Sequence, residues 1–230
     1  MSVSARVVGI IRHPRQTLQE VASHPTWVSL LVALTLATAA AGALVGATEV
    51  GQLALVDQWE RTVLAFGQPV DDARYAELQA LSRQGPAVAA INAVLGGPVV
   101  AAVVSLLAFG WLRWQRHKTA PVSYSQVLAV VVHAGVILAF GRVIAAPLVY
   151  ARETTASATT VGSWFPGLDE ASPAARFLGA IDLFAVWWVI VLGIGLAVLS
   201  GRRARSCAAW LVSLYIGVAL IAAAVMASVA

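Results

Sequence analysis

Residues 86–112 read PAVAAINAVLGGPVVAAVVSLLAFGWL, without a single charged side chain. A helix of about 20 apolar residues is long enough to cross the hydrocarbon core of a bilayer. Four further long apolar runs lie at 26–48, 124–150, 177–200 and 207–229. These runs lack the alternation of polar and apolar residues that is typical of membrane β-barrel strands. The sequence therefore predicts an all-α polytopic membrane protein, whose domain from 26 to 230 is a bundle of five transmembrane helices.

The composition agrees with a membrane protein. Hydrophobic residues make up 60% of the 230 positions and charged residues 11%, with a mean hydropathy of +0.82. Soluble domains contain about 25% charged residues, so a soluble fold is excluded. The net charge of +4 is concentrated in short connections, which indicates membrane topology and not nucleic-acid binding. The single cysteine, Cys207, excludes an intramolecular disulfide and a thiolate metal cluster, and we expect no cofactor or metal.

The connections between the apolar runs alternate in charge. Nine Lys and Arg residues lie in 1–25, 113–123 and 201–206, whereas 49–85 and 151–176 together hold five, with nine acids. Because Lys and Arg favour the cytoplasmic side, the pattern predicts a multi-pass protein of the cytoplasmic membrane. Its N-terminus would lie in the cytoplasm and its C-terminus outside. The tryptophans expected as lipid-interface anchors at the cytoplasmic ends are Trp27, Trp111, Trp114 and Trp210.

Two segments outside the apolar runs carry helical patterns. Residues 1–25 place arginines beside apolar residues and contain Pro14, which predicts an interfacial amphipathic helix in two short pieces. A loosely ordered, solvated tail is the alternative. This segment and the following run are too long for a typical cleaved signal peptide, so we expect a retained anchor. In the outer loop 49–85, apolar spacing predicts an amphipathic helix, and Asp71 is the expected N-cap of a second. We expect this loop to pack on the outer membrane surface or over the bundle, and a lid that closes over a ligand is the alternative.

Two charged residues lie inside predicted spans. By helix rise, Arg142 lies roughly 12 Å and Asp182 roughly 9 Å from the outer ends of their spans. An unpaired charge within a bilayer is unfavourable, so a structural intramembrane charge pair between Arg142 and Asp182 is the first expectation. Snorkelling of each side chain to the outer interface is one alternative, and a transport or proton-relay role is another.

Other residues in the spans suggest a possible polar site. His133 is expected to be a hydrogen-bonded packing residue, with a proton carrier as the alternative. Gly96, Gly97 and Pro98 predict kinked packing or, alternatively, the broken helix of a transporter site. Zinc-binding, nucleophile-elbow and phosphate-loop motifs are missing from the sequence, so an enzyme is not expected.

Five short segments resemble a known family. The stretches IRHPRQTL at 11–18 and HPTW at 24–27 resemble the entry to bacterial Yip-type proteins (Ypt/Rab-interacting, Yip domain). There, a proline-led amphipathic segment ends just before the first span. The stretches FLGAIDLFAVW at 177–187 and GIGLA at 193–197 resemble the fourth span of that family, and VSYSQVL at 122–128 fits the start of its third span.

The resemblance implies a five-span helical domain with a cytoplasmic N-terminus and no catalytic residues. Eukaryotic relatives are linked to vesicle trafficking and to the shaping of curved membranes, a role that would not transfer to a bacterial chain. We therefore expect a non-enzymatic scaffold, membrane-organising or partner-binding protein. The alternative is a transporter or permease component that uses Arg142, Asp182 and His133. The expected partners are the lipid bilayer and either a second copy of the chain or another membrane protein, but not nucleic acid.

Overall fold

The computed structural model describes residues 2–65, 67–114, 122–152, 159–165, 167–168 and 172–229. The helices are α1 Val3–Arg12, α2 Pro14–Ser23, α3 Val28–Gly46, α4 Glu49–Ala65, α5 Asp72–Ser82, α6 Gly85–Trp114, α7 Tyr124–Ala134, α8 Val136–Arg152, α9 Pro173–Ala180, α10 Leu183–Ser200 and α11 Ala204–Val229. One turn of 3-10 helix, Val161–Trp164, precedes α9. Across these residues the only β-type pairing is an isolated bridge between Thr160 and Asp182.

Within the described ranges, five helical segments are long and apolar enough to cross a membrane. They are Val28–Gly46, Gly85–Trp114, Tyr124–Ala151, Leu183–Ser200 and Ala204–Val225. The third consists of α7 and α8, which follow each other across Gly135, whose backbone angles are helical. The predicted fold class, an all-α multi-pass membrane protein with five spans, is confirmed.

The fourth span differs from the continuous helix expected over 177–200. The chain leaves helical geometry at Ile181, where ψ is 100°, between the end of α9 and the start of α10. Here the backbone pairs with a segment before α9: Val161 N–H donates to Ile181 O at 2.8 Å, and Leu183 N–H donates to Thr159 O at 3.0 Å. This pairing replaces helical hydrogen bonds, and the apolar helix long enough to span begins only at Leu183.

The chain divides into two compact units. The first comprises Met1–Leu36, Val94–Phe140 and Phe184–Tyr215, and the second comprises Ala37–Ala93, Gly141–Leu183 and Ile216–Ala230. The first unit holds a continuous apolar core to which α1, α2, α3, α6, α7, α8 and α10 contribute; its fully buried members include Ile10, Leu18, Leu30, Val127, Val130 and Ile137. In the same unit, α10 and α11 approach each other closely at Gly193. A Cβ on this residue would lie only 2.6 Å from Ala208 Cα.

In the second unit, small residues allow α3 and α6 to approach each other. A Cβ on Gly46 would lie 2.8 Å from the carbonyl carbon of Gly85. The helices α4 and α5 pack together after a turn in which Gly67 has a φ of +73°. The predicted N-cap of the second loop helix is confirmed, since the Asp71 carboxylate accepts from Arg74 N–H at 2.8 Å.

Candidate functional site

The N-terminal segment forms a helical hairpin that packs on α7. Its two helices are separated at His13, and Pro14 begins α2, where the missing N–H of proline is not needed. Ile10 and Leu18 are completely buried in the core of the first unit, and both helices contact α7. Burial of a leucine or isoleucine side chain contributes about 1.5–3 kcal/mol. The hairpin is therefore an integral part of the unit, which is not compatible with a loosely ordered tail.

Polar contacts fix the open end of the hairpin, where α1 begins and α2 ends. The Gln126 side-chain amide donates to Ala22 O at 2.9 Å, at the end of α2. Gln126 also completes a capping box with Ser123 at the start of α7. At the same end, the Arg6 guanidinium donates to the hydroxyl and the carbonyl oxygen of Thr26, which follows α2. The outward face of the hairpin is solvent-exposed and mixed, with Val8, which is 49% exposed, beside polar residues such as Gln16 and Glu20.

The turn between α10 and α11 restrains Arg202 through a backbone hydrogen bond and a contact with an aromatic ring. Gly201 has a φ of +66°, and the Arg202 N–H donates to Ala197 O at 3.2 Å. This geometry is the Schellman motif that ends many helices, for which glycine is preferred because it adopts positive φ without strain. The Arg202 guanidinium lies 5.5 Å from the centre of the Trp111 ring, a cation–π distance. Trp111 in turn stacks on Trp210, with ring centres 5.4 Å apart and planes inclined by 16°.

Three surface cavities are described, all in the first unit. A groove of about 610 Å³ runs between α1 and α2; its lining residues are Ser4, Ala5, Val8, Gly9, Arg12, His13, Gln16, Thr17 and Glu20. A second cavity, of about 260 Å³, is lined by Arg6, Glu20, Val21 and His24. A third, of about 210 Å³, lies between α2 and the α10–α11 turn and is lined by Arg15, Gln19, Ile194, Ala197, Val198, Gly201, Arg202 and Ala204.

His133 lies within the apolar core. Its side chain is completely buried, and Nδ1 lies 2.7 Å from Ala129 O, one helical turn earlier. A proton on Nδ1 would make this a hydrogen bond and leave Nε2 as an acceptor. Nε2 is buried and has no hydrogen-bond partner in the part of the chain that the structure describes. Buried polar atoms are nearly always hydrogen-bonded, so Nε2 is an exception that requires an explanation.

Arg142 and Asp182 both belong to the second unit. The Asp182 carboxylate is partly buried and accepts a hydrogen bond from the Thr159 hydroxyl. The Arg142 side chain is exposed on α8. Asp182 is joined to Thr159 by this hydrogen bond and to Thr160 by the β-bridge. Its pairing with Arg142 stays a prediction.

The remaining predicted site residues lie in different places. The helix α6 continues through Gly96, Gly97 and Pro98 without a break, and a Cβ on either glycine would meet no described atom within 4 Å. The transporter-like helix break is therefore not formed. Among the predicted anchors, Trp27 and Trp111 pack against the core, whereas Trp210 and Trp114 are 48% and 86% exposed. The placement of these four residues at a lipid interface stays a prediction.

Sequence reasoning missed the cavity at the α10–α11 turn. It used Arg15 and Arg202 only as charges that orient the chain, although they converge on one cavity. Gly201, which follows a long apolar run and precedes Arg202, is a signal for a helix end. No comparable local pattern places α2 beside that turn, because the two segments lie at opposite ends of the sequence.

Comparison with known proteins gives one match. A family model described as the Yip1 domain matches residues 8–226, nearly the whole chain. This match confirms the resemblance that the sequence segments predicted. No significant match was found among curated proteins or solved structures.

Proposed function

Because the chain belongs to the Yip1 domain family, we propose that it is a non-enzymatic membrane scaffold that binds a partner protein through the α1–α2 hairpin. The observation that supports this proposal is the packing of the hairpin. Its apolar face is buried on α7, while its opposite face forms an open groove of about 610 Å³. Preformed surfaces of this kind bind partners without the entropic cost of ordering a flexible segment.

The groove favours an amphipathic partner segment, because Ala5 and Val8 line it beside charged and amide groups. The groove combines the cationic side chain of Arg12, the acidic side chain of Glu20, and the amide and imidazole groups of Gln16 and His13. Such a mixture gives specificity through hydrogen bonds and charge complementarity. With the orientation that the Arg-rich connections predict, the groove would face the cytoplasm, so its partner would be a cytoplasmic protein or a cytoplasmic segment of a membrane protein.

Site-specific photo-crosslinking in native membranes tests this proposal. A photoreactive residue replaces Ser4 at the groove, and the partner is defined as a species that forms one saturable adduct. We expect the double substitution Arg12→Ala and Gln16→Ala to abolish this adduct. The control, Arg61→Ala, removes an exposed ion pair with Asp57 on α4 and should leave the adduct unchanged. Failure to form a saturable adduct, or equal loss in the control, would contradict the proposal.

The proposed orientation has its own test. Cys207 is the single cysteine of the sequence, so its replacement in a Cys207→Ser background leaves no other thiol to react. In this background, Arg203→Cys places one thiol in the Arg-rich turn and reports the side of the membrane on which the turn lies. A membrane-impermeant maleimide added to intact cells should label it only after permeabilisation. A thiol in the α4–α5 loop, Gln68→Cys, is the matched position and should be labelled without permeabilisation. The reverse pattern would show that the chain is inserted the other way.

A transporter component is the second candidate, and His133 is the observation that favours it. A buried imidazole nitrogen without a described partner suits a proton-accepting role in a span. Proton flux through liposomes that contain the purified protein distinguishes the two proposals. A flux that requires His133, tested with His133→Gln, supports transport, whereas a flux equal to that of empty liposomes contradicts it.

A further inference from the structure

We propose that the cavity between α2 and the α10–α11 turn binds a phosphate group, as presented by the headgroup of an anionic phospholipid. Two arginines, Arg15 from the first turn of α2 and Arg202 from the turn after α10, line this cavity of about 210 Å³ together with Gln19. The assignment depends on the chemistry of this cavity and not on the partner-binding role of the hairpin groove.

The charge of the lining distinguishes this cavity from its neighbours. The other two described cavities each combine arginine with the carboxylate of Glu20. The lining of the third contains two arginines and no carboxylate. An arginine pair without a counterion favours an anionic ligand, and the planar guanidinium matches the geometry of phosphate oxygens. The Gln19 side chain adds a neutral hydrogen-bond donor.

The backbone adds to the positive potential at the cavity. Ala204 lines it and is the first residue of α11, a 26-residue helix. The N–H groups in the first turn of a helix have no intrahelical partners, and the helix dipole is positive at this end. This contribution supports the two arginines; it would not define a site without them.

The backbone of Arg202 is set, and its exposed side chain is restricted, before any ligand binds. The Schellman motif holds its backbone, through the positive φ of Gly201 and the hydrogen bond to Ala197 O. The Trp111 ring lies within 5.5 Å of its guanidinium and restricts its side chain. A side chain that is already ordered loses less conformational entropy when it binds a ligand.

The size and the apolar part of the lining favour a lipid as the carrier of the phosphate. Ligand pockets for drug-sized molecules measure about 300–1,000 Å³, so a cavity of about 210 Å³ suits a small headgroup. Ile194, Ala197 and Val198 line it on the α10 side. Apolar side chains beside arginines match the junction between the phosphate and the glycerol of a phospholipid, and basic pockets between membrane helices are typical headgroup sites.

Titration of the purified full-length protein in neutral detergent tests the proposal, with thermal stability as the readout of binding. Three probes are compared: short-chain phosphatidylglycerol, short-chain phosphatidylcholine and inorganic phosphate. We expect saturable stabilisation by phosphatidylglycerol and weaker stabilisation by phosphatidylcholine, whose choline cation opposes the arginines. Stabilisation by inorganic phosphate at the same concentrations as phosphatidylglycerol would assign the same site to a soluble phosphate.

Variants of the lining residues locate the binding site. Arg15→Ala and Arg202→Ala should each raise the dissociation constant for phosphatidylglycerol about tenfold, as expected for the loss of one charge-assisted contact. Arg15→Lys should retain part of the affinity. The controls Arg203→Ala, in the same turn, and Arg205→Ala, at the start of α11, remove equal charge at residues that do not line the cavity and should leave the dissociation constant unchanged.

Each result decides the proposal. Because Arg202 also contacts Trp111, its variant could lower stability without a ligand, so the Arg15 variants, which leave that contact intact, carry the decision. A selective loss of affinity in Arg15→Ala supports the site. An equal loss in Arg205→Ala would show general attraction between charges, and saturation by neither anionic probe would show that no phosphate binds; both results overturn the proposal.

Discussion

The Gln126 side-chain nitrogen lies 2.9 Å from the carbonyl oxygen of Ala22, so one residue of α7 satisfies the last turn of α2. Its side-chain oxygen accepts from the backbone N–H of Ser123, also at 2.9 Å. One amide thus closes the end of the N-terminal hairpin and caps the start of α7. This arrangement requires both a donor and an acceptor on the same side chain, which asparagine and glutamine provide and a carboxylate does not.

We therefore predict that Gln126→Glu loosens the hairpin. The glutamate keeps the acceptor for Ser123 but loses the donor to Ala22, a partly buried hydrogen bond whose loss costs about 0.5–1.5 kcal/mol. Limited proteolysis in detergent measures the result as faster cleavage within 1–25. Ser123→Ala removes the cap of α7 and keeps the donor to Ala22, so it should lower the melting temperature without faster cleavage there. Equal cleavage of the wild type and Gln126→Glu would contradict this prediction.

The second prediction concerns the contact between α10 and α11. A Cβ on Gly193 would lie 2.6 Å from Ala208 Cα, and a backbone atom cannot move aside as a side chain can. Overpacking of this kind costs about 1–3 kcal/mol, so Gly193→Ala should lower the thermal stability of the purified protein. Gly110→Ala is the matched control in α6, since its Cβ would meet no described atom within 4 Å. Equal stability of the two variants would show that the helices separate without cost.

The spans were predictable because they depend on composition. Long apolar runs with at most one charged residue require a helix in lipid whatever their neighbours are, and each of the five runs overlaps a helix long enough to span. The Asp71 N-cap was also predictable, because a cap is a contact between residues three positions apart.

The break before α10 was not predictable in this way. Hydropathy over 177–200 describes how apolar the residues are, whereas the break at Ile181 results from backbone pairing with 159–161. The link from Gln126 to Ala22 has the same character, since the two residues are 104 positions apart. Contacts of this kind depend on which elements fold against each other, and neither periodicity nor charge in a single segment contains that information.

The third prediction tests the aromatic stack beside Arg202. Trp210 stacks on Trp111, and stacking contributes about 0.5–1.5 kcal/mol beyond the burial of the rings. Trp210→Ala should therefore lower thermal stability in detergent more than Trp114→Ala does, because Trp114 is 86% exposed. Trp210→Phe should restore part of the difference. A larger loss in Trp114→Ala would indicate that contacts with lipid or detergent outweigh the stack.

The fourth prediction decides which residue Asp182 depends on. Its carboxylate accepts from the Thr159 hydroxyl, in the backbone pairing that ends α9. In a double-mutant cycle of Thr159→Val and Asp182→Asn, we expect a coupling of about 1 kcal/mol, within the range for residues in contact. A coupling near zero would contradict a stabilising role for this hydrogen bond. The free energies come from reversible unfolding in mixed micelles.

A parallel cycle of Arg142→Met and Asp182→Asn tests the charge pair predicted from the sequence. Loss of one member of a buried pair costs about 3–5 kcal/mol in soluble proteins, so a true pair should give a coupling well above that of Thr159. Arg142 is exposed on α8, and a guanidinium that reaches the interface alone would give a coupling below about 0.5 kcal/mol, as for independent sites. A coupling this small would mean that the 159–160 segment, and not Arg142, determines the position of Asp182. It would also argue against a transport pathway that uses Arg142 and Asp182 together.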